Sequence, residues 1–126
     1  MSKAAVTVFA FSIYLFGLGG VLISVPNLLL SLFRIPPTEE VWIRVVGVLV
    51  VLLGYYYLTA ARNEQTPIIR ATVIGRLVVL VSFIVFVLLG LAPSALILFG
   101  VVDALAATWT GLGLRADERA SAGGLK

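Results

Sequence analysis

The chain has 126 residues, 61% of them hydrophobic and 12% charged, and a formal charge of +3, with a mean hydropathy of +1.15. Soluble domains carry about 25% charged residues, so that class is excluded, and the length suits one compact membrane domain rather than two. With no cysteine and no histidine, the chain lacks a disulfide framework, a thiolate, the commonest metal ligand and the usual acid/base group near neutral pH.

Met1-Ser2-Lys3 is short and basic, and from Ala4 to Phe33 no residue is charged. That run is about twice the length of a signal-peptide core and has no convincing cleavage site before a soluble domain. It predicts a first spanning helix over residues 4–25. Gly17, Gly19 and Gly20 lie inside it, where a neighbouring backbone can come close. Pro26 ends this helix, because proline disfavours helical geometry in the residue before it. Leu28 to Ile35 is greasy, too short to cross and closed by Arg34, which predicts a short helix lying at the membrane surface. After the stiff Pro36-Pro37 pair, Thr38 reads as an N-cap with Glu39 and Glu40 in the first helical turn.

The second spanning helix is predicted over residues 39–61. Trp42 near its start and Tyr55-Tyr56-Tyr57 near its end match the two membrane interfaces. Gly47, Gly54 and Ala61 recur at seven-residue spacing and form a small-residue packing seam. Arg44, Val48, Val51, Tyr55 and Arg62 step by 3–4 residues and share a face. The polar stretch Arg62 to Pro67 is a loop. The third and fourth spans are predicted over residues 68–90 and 93–114, joined by a tight turn at Gly90 to Ser94. On the last span Ala104-Thr108 and Ala107-Gly111 are small-residue pairs suited to packing. Residues 115–126 read as a frayed or disordered cytoplasmic tail. The expected fold is therefore all-α: a single transmembrane domain over residues 1–114, an antiparallel four-helix bundle with an interfacial helix after its first span.

Four spans put both termini on one side. Lys3, Arg62, Arg70, Arg115, Arg119 and Lys126 share that side, six of the nine basic residues. The positive-inside rule then makes it cytoplasmic, in a multi-pass inner (plasma) membrane protein. The same count places Trp42 and Trp109 at opposite faces.

One constellation can carry chemistry. From Leu77 to Val102 there is no charge, yet Arg76 and Asp103 bracket that stretch. At about 1.5 Å per residue, Arg76 lies roughly 12 Å and Asp103 roughly 15 Å from the cytoplasmic edge. Isolated charges at such depth are expensive, so a direct Arg76–Asp103 ion pair is expected. Ser12 comes to a similar depth and Tyr55 is somewhat shallower. Arg62 and Arg70 stand nearer the cytoplasmic mouth, and Arg44 lies at the opposite edge. The pair staples two helices, or it belongs to a polar pocket drawing on Ser12, Tyr55, Arg62, Arg70 and Arg44, or it conducts a proton or ion.

Pro26-Asn27-Leu28-Leu29, Trp42-Ile43-Arg44-Val45-Val46-Gly47, Gly54-Tyr55-Tyr56-Tyr57 with Ala60-Ala61-Arg62, Thr72-Val73-Ile74-Gly75-Arg76, and Asp103 together resemble the small bacterial DoxX-like and BphX-like four-helix membrane proteins. The resemblance spans about residues 10–114. It implies a four-helix bundle and marks Arg44, Arg62, Arg76 and Asp103 as positions to test, without implying an activity.

The composition supports no catalytic residues, no metal site, no cofactor and no nucleic-acid partner. The expectation is a non-enzymatic accessory or interaction subunit whose partners are the lipid bilayer and other membrane subunits or copies of itself. The alternative is a carrier or binding protein for a small anionic or hydrophobic molecule at the Arg76/Asp103 pocket.

Overall fold

The computed structural model describes residues 1–124; Lys126, counted above among the basic residues, lies outside them. The described chain forms five helices: α1 Lys3–Ser24, α2 Pro26–Leu32, α3 Trp42–Arg62, α4 Thr66–Leu88 and α5 Leu96–Gly124. Four of them, all but α2, are long and apolar enough to cross a membrane. The protein is thus an all-helical, multi-pass membrane protein, and its α1 start, α3–α4 loop and α5 end share one end of the bundle, here the terminal end.

Local sequence accounts for the breaks. Pro26 opens α2 at its first turn, where its missing N–H costs nothing. α4 ends in a Schellman motif: Leu91 N–H donates to Phe86 O at 2.9 Å and Gly90 N–H to Val87 O at 3.0 Å. Gly90 sits there at φ +76°, a conformation glycine adopts without a Cβ clash.

Thr38 does not cap α3. The helix begins only at Trp42, with Val41 before it. Thr38 Oγ1 instead accepts from Glu40 N–H at 3.2 Å, and Thr38 N–H donates to Asn27 Oδ1 at 2.9 Å. The segment is thereby tied back to α2, and Glu39 and Glu40 lie outside the helix. The tail also differs from expectation, since α5 continues without a break to Gly124. Arg115 to Ala120 is made of strong helix formers apart from Asp117, and two acidic side chains find partners here. Asp117 Oδ1 and Oδ2 each accept at 3.0 Å from Lys3 N–H and Ala4 N–H. Glu118 pairs with Arg70 at 2.8 Å.

α1 is the central helix. It packs along α3 on one flank and α5 on the other, α4 packs on α5, and α3 and α4 meet only sparsely. The predicted seam holds the α1–α3 contact: a Cβ on Gly47 would lie 2.9 Å from Leu22 Cβ and 3.0 Å from Gly19 O, and Ala61 is fully buried. Of the three α1 glycines only Gly19 faces this seam; Gly17 and Gly20 face open space. On α5 the packed stripe is Ala107, Thr110, Gly113 and Leu114, which keeps Ala107 of the small pairs expected there but not Thr108 or Gly111. Thr108 is exposed and Gly111 faces open space, while a Cβ on Gly113 would sit 2.8 Å from Ala4 N. The tight apolar core lies at the terminal end, around Ala5, Val8, Ala61, Ile69 and Leu114. Trp42 and Trp109 are exposed at opposite ends of the bundle.

Candidate binding site

Arg76 is the largest fully buried side chain among the described residues, at 2% exposure. Helical side chains lean toward the N-terminus of their own helix, which for α4 is the terminal end. The guanidinium accordingly reaches back one turn. Nε donates to Thr72 O at 3.0 Å, and Nη2 donates to Thr72 Oγ1 at 3.0 Å and to Thr110 Oγ1 at 2.9 Å. Thr110 Oγ1 lies 2.6 Å from Thr7 Oγ1, which donates to Ala4 O. One consistent set of protons runs from Arg76 through Thr110 and Thr7 to that carbonyl. Thr72 of α4 and Thr110 of α5 thus accept all of the charge's hydrogen bonds, and Thr7 of α1 extends the chain behind Thr110.

The remaining face of the guanidinium is aromatic. Its carbon stands 4.9 Å from the centroid of the Phe11 ring, a cation–π contact that is strengthened away from water. Phe11 in turn packs against Tyr14 at 5.4 Å and Tyr57 at 5.9 Å. Nη1 is buried and has no hydrogen-bond partner among the described residues.

Arg76 and Asp103 do not form the expected ion pair. Among the described residues the ion pairs are Met1 α-amino–Glu64 and Arg70–Glu118. The physical reason is side-chain direction. Arg76 binds Thr110, which lies seven residues from Asp103, roughly 10 Å along α5 toward the terminal end. Two Cα atoms at matching depth therefore hold heads that diverge.

Asp103 instead borders an interhelical cavity of about 340 Å³. Leu18 of α1, Val50 of α3, Val79 and Phe83 of α4 and Leu29 of α2 wall it, and Tyr14 and Asp103 are its polar groups. It occupies the space left where α3 and α4 pack sparsely. Its volume falls at the lower end of the ~300–1,000 Å³ range of small-molecule pockets. Tyr14 joins the two regions: its ring packs on Phe11 at 5.4 Å, and it lines the cavity together with Asp103.

The other expected pocket residues lie elsewhere. Ser12 is fully buried, but its hydroxyl donates to Phe9 O at 2.6 Å within its own helix. Tyr55 is 57% exposed and stacks edgewise on Tyr56; Tyr57 is the tyrosine of the triplet that faces inward. Arg62 is exposed. Arg70 is exposed and bonded to Glu118. Arg44 donates to Ile23 O at the C-terminal end of α1, where a cation suits the helix dipole. Of the face expected to be shared by Arg44, Val48, Val51, Tyr55 and Arg62, all but Val51 are exposed, and Val51 packs against Gly19. The residues missed are Thr7, Thr72, Thr110, Phe11 and Tyr14. Among the described residues no three His, Cys, Asp or Glu side chains gather as metal ligands would.

Comparison with protein-family models, with curated proteins and with solved structures gives no match, so the site is read from its own geometry.

Proposed function

We propose that the protein binds or carries a small, mostly apolar molecule in the interhelical cavity, with Asp103 and Tyr14 holding its polar end. The observation that supports this most is an apolar chamber ending at Asp103, whose carboxylate has no cation within 4.0 Å among the described residues. A carboxylate is acceptor-only when ionised, so it favours an occupant that brings a hydroxyl, amide or ammonium donor. This narrows the reading to neutral or cationic amphiphiles, because Arg76, which would attract an anion, does not line the cavity and directs its donors to Thr72 and Thr110.

The accessory-subunit reading drew on small-residue seams. Gly47, Gly54, Ala61 and Gly113 are all covered by α1 within one chain, which leaves those seams with no partner helix to recruit. We place the terminal end in the cytoplasm of an inner (plasma) membrane, because Lys3, Arg62, Arg70, Arg115 and Arg119 gather there. Kinship with the DoxX-like and BphX-like proteins is part of the same proposal; of its marked positions, Arg76 and Asp103 face the interior.

Gentle extraction into nanodiscs followed by mass analysis of bound small molecules tests the reading. Wild-type protein is expected to retain an amphiphile that Asp103→Leu and the cavity-filling Val50→Phe lose. Co-purifying protein subunits, with no such molecule in wild type, would favour the accessory role instead.

A further inference from the structure

A second groove lies between α4 and α5 at the terminal end, with a volume of about 460 Å³. It is separate from the central cavity and shares no lining residue with it. Its floor is apolar, including Leu77, Ala107 and Gly111, and its mouth carries Arg70, Arg115 and Glu118. From Leu77 to Arg70, or from Ala107 to Arg115, the groove follows about two helical turns, roughly 11 Å along the spans. Gly111 leaves open space where a side chain would stand.

The charges at the mouth are unequal. Arg70 donates to Glu118 at 2.8 Å, so that pair is locally neutral. Arg115 makes no ion pair among the described residues, and Arg119 follows one turn later on the same face. The mouth therefore carries uncompensated positive charge at the level where α1 begins, since Gly113 touches Ala4.

We propose that this groove binds one anionic phospholipid. An acyl chain lies over Gly111 and Ala107, and the phosphate meets Arg115 and the outer edge of Arg70. A phospholipid in the bilayer already has this orientation, with its chain along the spans and its phosphate at their end. Guanidinium groups bind phosphate through directed N–H donors, and basic pockets between spanning helices recognise anionic head groups. The site does not depend on which molecule fills the central cavity.

The test is lipid retention, read by native mass spectrometry after exchange into mixed micelles with equal phosphatidylglycerol and phosphatidylcholine. Wild-type protein is expected to keep one phosphatidylglycerol in preference to phosphatidylcholine. Arg115→Gln is expected to lower that retention about fivefold, the factor contributed by one basic residue near an anionic surface. Gly111→Leu, at an open position on the helix surface, is expected to lower retention of both lipids by filling the groove. Arg34→Gln, at the other end of the bundle, is expected to change nothing. Equal retention of the two lipids by wild type, or unchanged phosphatidylglycerol retention in folded Arg115→Gln and Gly111→Leu proteins, would overturn the proposal.

Discussion

The Arg76 guanidinium is bonded to Thr110 at 2.9 Å, and Asp103, two turns along the same helix, is left without a cation at contact distance. The buried guanidinium and the half-buried carboxylate are separately housed: one by hydroxyls and an aromatic ring, the other at the edge of a cavity. This division yields opposite expectations for substitutions that a simple staple would treat alike.

Thr110→Val keeps the shape of the side chain and removes the hydroxyl that accepts from Arg76. It is expected to lower stability in detergent by about 1–2 kcal/mol, within the range for bonds to charged groups and for polar contacts inside membranes. Asp103→Asn is expected to be neutral or stabilising, because it removes a charge without unpairing Arg76. Breaking a direct buried pair would instead cost ~3–5 kcal/mol. A loss of that size for Asp103→Asn, beside a silent Thr110→Val, would show that the two charges do pair.

Glycines on the two faces of the bundle should respond with opposite signs. A Cβ on Gly47 meets Leu22 Cβ and Ile23 Cγ1 at 2.9 Å, so Gly47→Ala is expected to cost ~1–3 kcal/mol through overpacking. Gly75 faces open space in mid-helix, so Gly75→Ala is expected to stabilise by up to ~1 kcal/mol. Thermal unfolding in one detergent measures both. Equal effects would mean that the α1–α3 seam is not the tight contact described.

Much of the fold was legible because it rests on local rules. Uncharged runs give the spans, Pro26 gives the break, and the seven-residue recurrence of Gly47, Gly54 and Ala61 gives the seam. The site was less legible because a depth count treats each residue as a point at its Cα. Arg76 has a long side chain that leans one turn toward the start of α4, and that displacement separates it from Asp103. The available signals were Thr72 four residues before Arg76 and Tyr57 on the stripe of Gly54 and Ala61. Those positions select Tyr57 over Tyr55 as the inward ring. Asp117 was illegible, since its role depends on where α1 begins in space, and its charged surroundings read as solvent.

The end of α5 acts as a cap for α1. Asp117 accepts from Lys3 N–H and Ala4 N–H, two of the donors a helix start leaves unpaired. Asp117→Ala is expected to cost about 1 kcal/mol, as loss of an N-cap does, and to speed amide exchange at Lys3 and Ala4. Truncation after Leu114 should reproduce the faster exchange. Unchanged protection in both proteins would remove α5 from that role.

Topology is open to direct labelling because the chain has no cysteine. Gln65→Cys in intact cells is expected to resist a membrane-impermeant thiol reagent and to react once the membrane is opened. Reaction from outside would reverse the proposed orientation while leaving the bundle intact.

The occupancy of the central cavity is tested most directly by photolabelling. A long-chain alcohol carrying a diazirine at mid-chain, incorporated into proteoliposomes, is expected to mark cavity residues such as Val50, Val79 and Phe83. That labelling should fall in Asp103→Leu and be blocked by Val50→Phe at the remaining positions. Labels confined to outward residues such as Ile74, Val78 and Leu105, and unchanged by either substitution, would contradict the cavity as a binding site.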